Sequence, residues 1–123
     1  MISVIVPTYN EEANITACLR SLCNQTMSRD EYEIIVVDGN SKDCTCELAR
    51  EYADEVITQT SKKVGGARND GVLRARGDIV ATTDADCIIP PDWLETINND
   101  FKSHDIVQLY GTCLLYTSPS PRD

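Results

Sequence analysis

Several short stretches of the chain are apolar almost without interruption. ISVIVP at residues 2–7, YEIIVVD at 32–38 and DIVATTD at 78–84 are rich in β-branched residues and bounded by turn-forming ones, which predicts buried strands. DEVITQ at 54–59 is a weaker strand and DIVQLYGTC at 105–113 a candidate last one. The first run is expected to end at Pro7. Between these runs the apolar positions change to helical spacing. Ile15, Leu19, Leu22 and Cys23 fall on one face of a helix. Asn10 is its expected N-cap, with Glu11 and Glu12 in the first turn, where the helix dipole favours negative charge. KDCTCELAREYA at 42–53 predicts a short amphipathic helix. In residues 61–77 Ala67, Val72 and Ala75 mark a helix face behind a glycine pair, and Gly77 stops it. PPDWLETINNDFKS at 90–103 predicts a helix opened by its prolines, which suit a first turn.

Strand and helix alternate from one end to the other. That order predicts an α/β fold with right-handed crossovers, a largely parallel sheet and helices on both faces. Runs apolar at successive positions are what strands covered on both sides require. The chain's 123 residues are enough for a single domain. The reading places that domain at residues 1–113. The Ser/Pro-rich LLYTSPSPRD that ends the chain is expected to be a non-native or disordered tail at 114–123.

Composition narrows the function classes. Net charge is −9, which argues against a nucleic-acid partner, since such binding needs a basic face. A small anionic ligand stays open if a cation or a local basic group meets it. No apolar run approaches the roughly 20 residues of a membrane-spanning helix, and the N-terminus lacks the basic flank of a signal peptide. Six cysteines without a paired C-x-x-C, beside a single histidine, make a structural zinc site improbable. They are expected to be reduced, several of them buried as small hydrophobes, in a cytoplasmic protein. Membrane association of a full-length protein is left open.

In an open parallel sheet, ligands bind beyond the carboxyl ends of the strands. The first run leads there into Pro7-Thr8-Tyr9-Asn10-Glu11, the second into Asp38-Gly39-Asn40-Ser41 and the strand at 78–84 into Asp84-Ala85-Asp86. Residues i and i+2 of an extended segment share a side, so Asp84 and Asp86 repel one another unless a cation lies nearby. Magnesium characteristically takes one or two carboxylates together with substrate phosphates. A plain turn, with Asp84 capping it and Asp86 solvated, is the competing reading. Asp38 suits a base or ribose donor, or an Asx-turn. Tyr9 suits a flat base, or the core. Arg68 suits phosphate, or a solvated helix face. Gly65 and Gly66 permit close backbone approach.

Taken together, VIVPTYNEE, IIVVDGNSKDCT and GGARNDGVLRARGDIVATTDADCIIPPDWLE resemble the N-terminal half of family 2 glycosyltransferases of the GT-A fold, over roughly residues 2–111. The resemblance implies a Rossmann-like GT-A fold, incomplete at the C-terminus, that takes a nucleotide-diphospho-sugar donor and a divalent metal, magnesium or manganese. It implies that Pro7, Thr8, Tyr9 and Asp38 surround the base, with Glu11 near the nucleotide. It further implies that Gly66 and Arg68 line the donor site, that Asp86 is the direct metal ligand, and that Asp84 faces ribose or a metal-bound water. Many members carry two consecutive aspartates where this chain has Asp38 and Gly39. The implied reaction is transfer to an acceptor hydroxyl of a lipid, polysaccharide or protein, with inversion. The base that activates the acceptor lies downstream in such enzymes and is not identifiable here. The chain alone is therefore expected to bind donor, to turn over little or nothing, and to be marginally stable. The alternative is a non-catalytic nucleotide-sugar or protein-binding module. Neither the G-x-G-x-x-G of dinucleotide enzymes nor a P-loop is present.

Overall fold

The computed structural model describes residues 1–60 and 66–104. Four strands, β1 (Ile2–Thr8), β2 (Tyr32–Asp38), β3 (Glu55–Thr58) and β4 (Ile79–Thr82), alternate with α1 (Ile15–Cys23), α2 (Thr45–Ala49), α3 (Gly66–Arg74) and α4 (Trp93–His104). The strands form one sheet in the order β3-β2-β1-β4, and every pairing is parallel. The alternation therefore gives the expected α/β fold. The candidate strand at 105–113 and the tail lie outside the described residues.

Side chains alternate across the sheet, as a pleat demands. Val4, Val6, Ile34 and Val36 turn to one face, where Ile15, Cys18, Leu19 and Leu22 of α1, Ala49 of α2, and Trp93, Leu94 and Ile97 of α4 complete the larger core. Ile5, Ile35 and Val37 turn to the other, against Ala67 of α3. Both faces of β1 and β2 are thus apolar, which explains their unbroken hydrophobic runs.

Four local expectations change. Asn10 does not cap α1: it sits in a left-handed turn at φ 51°, and the helix begins only at Ile15, after Asn14. Glu11 and Glu12 consequently lie ahead of the helix rather than in its first turn. Cys23 is exposed, and Cys18 takes the buried position. The buried positions of α3 are Gly66 and Gly71, whereas Val72 is 45% exposed. A methyl at Gly71 would stand 2.3 Å from Cγ2 of Ile5, so glycine lets this helix lie directly on β1. Finally, the prolines precede α4, with the carbonyl of Pro90 accepting from the N–H of Trp93.

β1 continues through Pro7 to Thr8 instead of ending at the proline. The reason is directional. The carbonyl of Ile5 accepts from Thr83 on the β4 side, while that of Thr8 accepts from Gly39 on the β2 side. By alternation, the N–H that Pro7 lacks would point toward β4, which pairs with β1 only as far as Ile5 and Thr82. The proline costs no ladder bond there, and β1 and β4 are free to diverge.

Candidate functional site

The divergence of β1 and β4 marks the point where the strand order reverses. The chain lays β2 and β3 to one side of β1, then returns to add β4 on the other. Crevices at such a switch point, beyond the carboxyl ends, are where open α/β sheets take ligands. Because all pairings are parallel, the segments after Thr8, Asp38 and Thr82 emerge on that one edge. Two hollows of about 350 and 500 Å³ lie elsewhere, lined by Met1, Met27, Asp30 and Asn98 and by Arg29, Tyr32, Glu33 and Arg76 respectively. They open at the amino ends of the strands, away from the converging polar loops.

Asp38 is 2% exposed and directly opposite Thr8 in the β1–β2 register. One carboxylate oxygen accepts from the Thr8 hydroxyl at 2.9 Å and from the Ser41 hydroxyl, and the other accepts from the Ser41 N–H at 2.7 Å. Burial alone would raise its pKa. The bonds from Ser41, Thr8 and the Cys46 thiol outweigh burial and hold it below the usual carboxylate range. Asp38 is therefore an anion fixed in one orientation, accepting from the N–H three residues on rather than making an Asx-turn.

The loops after β1 and β2 are laced to each other. Asn10 donates its N–H to the Ser41 hydroxyl at 2.7 Å and accepts from the N–H of Lys42 at 2.9 Å. Glu11 N–H donates to the Thr45 hydroxyl, and the Glu12 carboxylate accepts from the N–H of Cys44, both at 2.9 Å. Asn10, Ser41 and Thr45 thus set the shape of this rim; Asn10 and Ser41 lie in the loops the sequence placed at the ligand edge, whereas Thr45 was not expected to have a part there. Their only signal was the clustering of Asn, Ser, Thr and Asp after two strands. On the rim the Tyr9 ring is 58% exposed. A Cβ at Gly39 would lie 3.7 Å from that ring and 3.4 Å from the Thr8 carbonyl, ordinary contact distances. Glycine here is chemical in effect: it leaves the floor beside Tyr9 without a side chain. Glu11 is half-buried, and its carboxylate accepts from the Asn14 side chain at 3.2 Å.

Across the crevice, Asp84 and Asp86 are both exposed. Their carboxylates and the Cys87 thiol lie within 4.8 Å of one another. Cys87 was not expected here. Its thiol points to the Asp86 carboxylate at 3.7 Å, and burial, then the charges of Asp86 and Asp84, push its pKa up. Below them, the buried Cys18 thiol donates to the Asp84 carbonyl at 3.5 Å. Burial, with the neighbouring Cys87 and carboxylates, pushes Cys18 up to about 12, so it stays a neutral thiol. It is the one cysteine among the described residues that is fully buried. Cys44, like Cys23, is exposed, and Cys46 and Cys87 are half-buried, so the expectation of several buried cysteines is corrected.

Gly66 is buried at the start of α3, and Arg68 stands in the helix's first turn. The Arg68 guanidinium is 3.9 Å from the Asp84 carboxylate, with both side chains about half exposed. So loose a pair leaves each partner available to a ligand. Two exposed carboxylates offer hard oxygen donors, which suits magnesium or manganese. The arrangement thus brings together the predicted Pro7, Thr8, Tyr9, Glu11 and Asp38 on one bank, and Gly66, Arg68, Asp84 and Asp86 on the other.

The family model described as "Glycosyl transferase family 2" matches residues 3–121. The putative glycosyltransferase EpsH of Bacillus subtilis is 42% identical over 99 residues, covering 76% of this chain and 28% of that protein. The Staphylococcus aureus TarS 1–349 structure in complex with UDP-GlcNAc superposes with a TM-score of 0.74 at 32% identity, over 85% of this chain and 32% of that one. The Pyrobaculum calidifontis mannosyltransferase PcManGT, in complex with GDP-Man and Mn2+, superposes with a TM-score of 0.67 at 30% identity, over 88% and 32%. The chain spans between 14% and 36% of the length of similar curated relatives.

Proposed function

The chain belongs to glycosyltransferase family 2, and from that premise we propose that it forms the donor-binding part of an enzyme moving a sugar from a nucleotide-diphospho-sugar to an acceptor hydroxyl with inversion. Asp86 and Asp84 would hold a magnesium or manganese ion, with Asp86 the direct ligand. The observation that carries this reading is the convergence, at the switch point of a parallel sheet, of the Asp84–Asp86 pair and Arg68 with the laced loops bearing Tyr9 and Asp38. The UDP-GlcNAc, GDP-Man and Mn2+ carried by similar structures support it.

Each residue has a physical task in this scheme. Asp38, held anionic, accepts from a donor group on the base or ribose. Tyr9 offers its exposed ring to the base, with the bare Gly39 beside it. Arg68 turns a permanently charged fork toward the diphosphate, whose charge grows as the sugar leaves. A bound cation supplies Lewis acidity to that leaving group. None of these residues is assigned a role in binding the acceptor or deprotonating it.

The test is thermal protection by nucleoside diphosphates with and without Mn2+, on the wild type and on Asp86→Asn. A ligand at a hundred times its Kd adds about 2.7 kcal/mol, a melting-temperature shift of about 10 °C for a domain of this size. Metal-dependent protection in the wild type and none in Asp86→Asn is expected. Equal shifts in both proteins would sink the reading.

A further inference from the structure

The segment between β4 and α4, residues 83–92, carries the acidic pair and two prolines but has no helix or strand of its own. Four of its main-chain groups, the carbonyls of Asp84, Pro90 and Pro91 and the N–H of Ile89, are answered from α1 and the turn that follows it. The Cys18 thiol donates to the Asp84 carbonyl at 3.5 Å. The Ser21 hydroxyl accepts from the N–H of Ile89 at 2.9 Å while donating to the Cys18 carbonyl at 2.6 Å. The Gln25 amide donates to the carbonyls of Pro90 at 2.8 Å and Ser21 at 3.2 Å, and its oxygen accepts from the N–H of Leu94 at 3.0 Å. The Thr26 N–H donates to the Pro91 carbonyl at 2.8 Å. Cys18 and Ser21 lie three apart on one face of α1, and Gln25 follows just beyond its end. Leu19 and Leu22 on the same helix share a core with Ile89, Trp93 and Leu94.

This division of labour is specific. The backbone of the acidic segment is fixed from beneath, while the carboxylates of Asp84 and Asp86 stay exposed on the crevice side. We propose that Ser21 and Gln25 are positioning residues: they hold the segment so that the two carboxylates keep the spacing a divalent cation needs before it arrives. The proposal rests on the reading of Asp84 and Asp86 as cation ligands. Ser21 acts by tying a helix carbonyl to a loop N–H through one hydroxyl. Gln25 acts as a fork, its amide donating to the Pro90 carbonyl and its oxygen accepting from the Leu94 N–H beyond the prolines, and no carboxylate can replace it, since its amide donates to two carbonyls. Groups that orient metal ligands without touching the metal typically govern 10–100-fold in affinity.

The experiment titrates the protein with Mn2+ alone, following the paramagnetic resonance of the free ion, and records a melting temperature for each variant. Ser21→Ala and Gln25→Leu are expected to bind Mn2+ roughly tenfold more weakly. Ser21→Thr, which keeps the hydroxyl, should restore binding, whereas Gln25→Glu should not. Arg76→Gln, at the opposite edge of the sheet, serves as a destabilised control expected to bind as the wild type does. Gln25 lies beyond the end of α1, so its variants carry the test alone if Ser21→Ala fails to fold. Folded Gln25→Leu with wild-type affinity overturns the proposal while leaving the metal site standing, and so does an equal loss in Arg76→Gln. Equal binding by the wild type and Asp86→Asn removes the site itself, and this inference with it.

Discussion

Gly71 shows how much one missing methyl group decides. It lies in α3 with its Cα side turned onto Ile5, a fully buried residue of the central strand, and a Cβ there would come within 2.3 Å of Ile5 Cγ2. Two effects oppose each other in Gly71→Ala. Alanine gains about 1 kcal/mol of helix propensity, but forcing a methyl into a packed contact costs about 1–3 kcal/mol. The contact is branched at Cβ and enclosed by the sheet, so it cannot swing away, and the clash wins. Denaturant unfolding of Gly71→Ala should show a net loss of stability, and a more stable variant would contradict the packing described. The same residue explains a miss in reading the sequence. A helix that buries glycine carries little hydrophobic signal on its inner face, so the sequence put Val72 beside Ala67 there, whereas Ala67 packs on the sheet and Val72 is exposed. Asn10 misled for a related reason. An Asn before a helical pattern is a good cap, but here it supplies a left-handed turn whose purpose is to meet Ser41 and Lys42, partners some thirty residues away.

Elements with local signals were legible, and those joined by distant polar contacts were not. β1, β2 and β4 could be read because burial on both faces leaves an apolar residue at nearly every position. The acidic pair could be read because two carboxylates after such a strand are conspicuous. The support beneath it, from Ser21 and Gln25, spans more than sixty residues in sequence and leaves no trace in spacing. A second such tie lies at the amino edge, where Glu33 of β2 joins β1 to the α3–β4 connection. Its carboxylate accepts from the Ser3 hydroxyl at 2.6 Å, from the Arg76 N–H at 2.8 Å and from the Arg76 guanidinium at 2.9 Å, while Gly77 N–H donates to Ser3. Burial would raise the pKa of Glu33, but these bonds and the Arg76 charge bring it below its ordinary 4.5. A lowered folded-state pKa means that the unfolded chain binds more protons between the two values. The stabilisation is then complete above about pH 4.5 and is lost as the pH falls through the folded value. Melting temperatures measured from pH 7 downward should fall along an acid limb that is shallower in Glu33→Gln. At neutral pH that variant should lose about 1–3 kcal/mol, the scale of hydrogen bonds to a charged group. Parallel acid limbs in the two proteins would show that Glu33 is not the group responsible.

At the scale of the whole molecule, topology and charge pull on the ligand in different ways. The strand order β3-β2-β1-β4 places a crevice beside β1, and Pro7 keeps it from being bridged by a further ladder bond. The sum of charges, however, is −9, so the long-range field repels a diphosphate approaching that crevice. Within it stand Asp38, held anionic, and the exposed Asp84 and Asp86, against the single guanidinium of Arg68 among the described residues that face them. In the proposed donor site a nucleotide's base and ribose would feel little of this, because they are neutral and would meet Tyr9 and Asp38 through stacking and hydrogen bonds. The diphosphate would feel nearly all of it, and a bound cation would change the local sign. Metal dependence should therefore reside in the phosphates alone. Calorimetric titration with a nucleoside and with its diphosphate, each in Mn2+ and in chelator, separates the two contributions. The nucleoside should bind weakly and equally under both conditions. The diphosphate should bind more tightly than the nucleoside in Mn2+ and no more tightly, or less, in chelator. Raising the salt concentration in chelator should recover some diphosphate binding, since screening weakens repulsion beyond a Debye length of about 10 Å at 0.1 M. A diphosphate that binds equally well with and without the ion would mean that Arg68 and the first turn of α3 neutralise it unaided, and that the acidic pair serves the turn rather than the ligand.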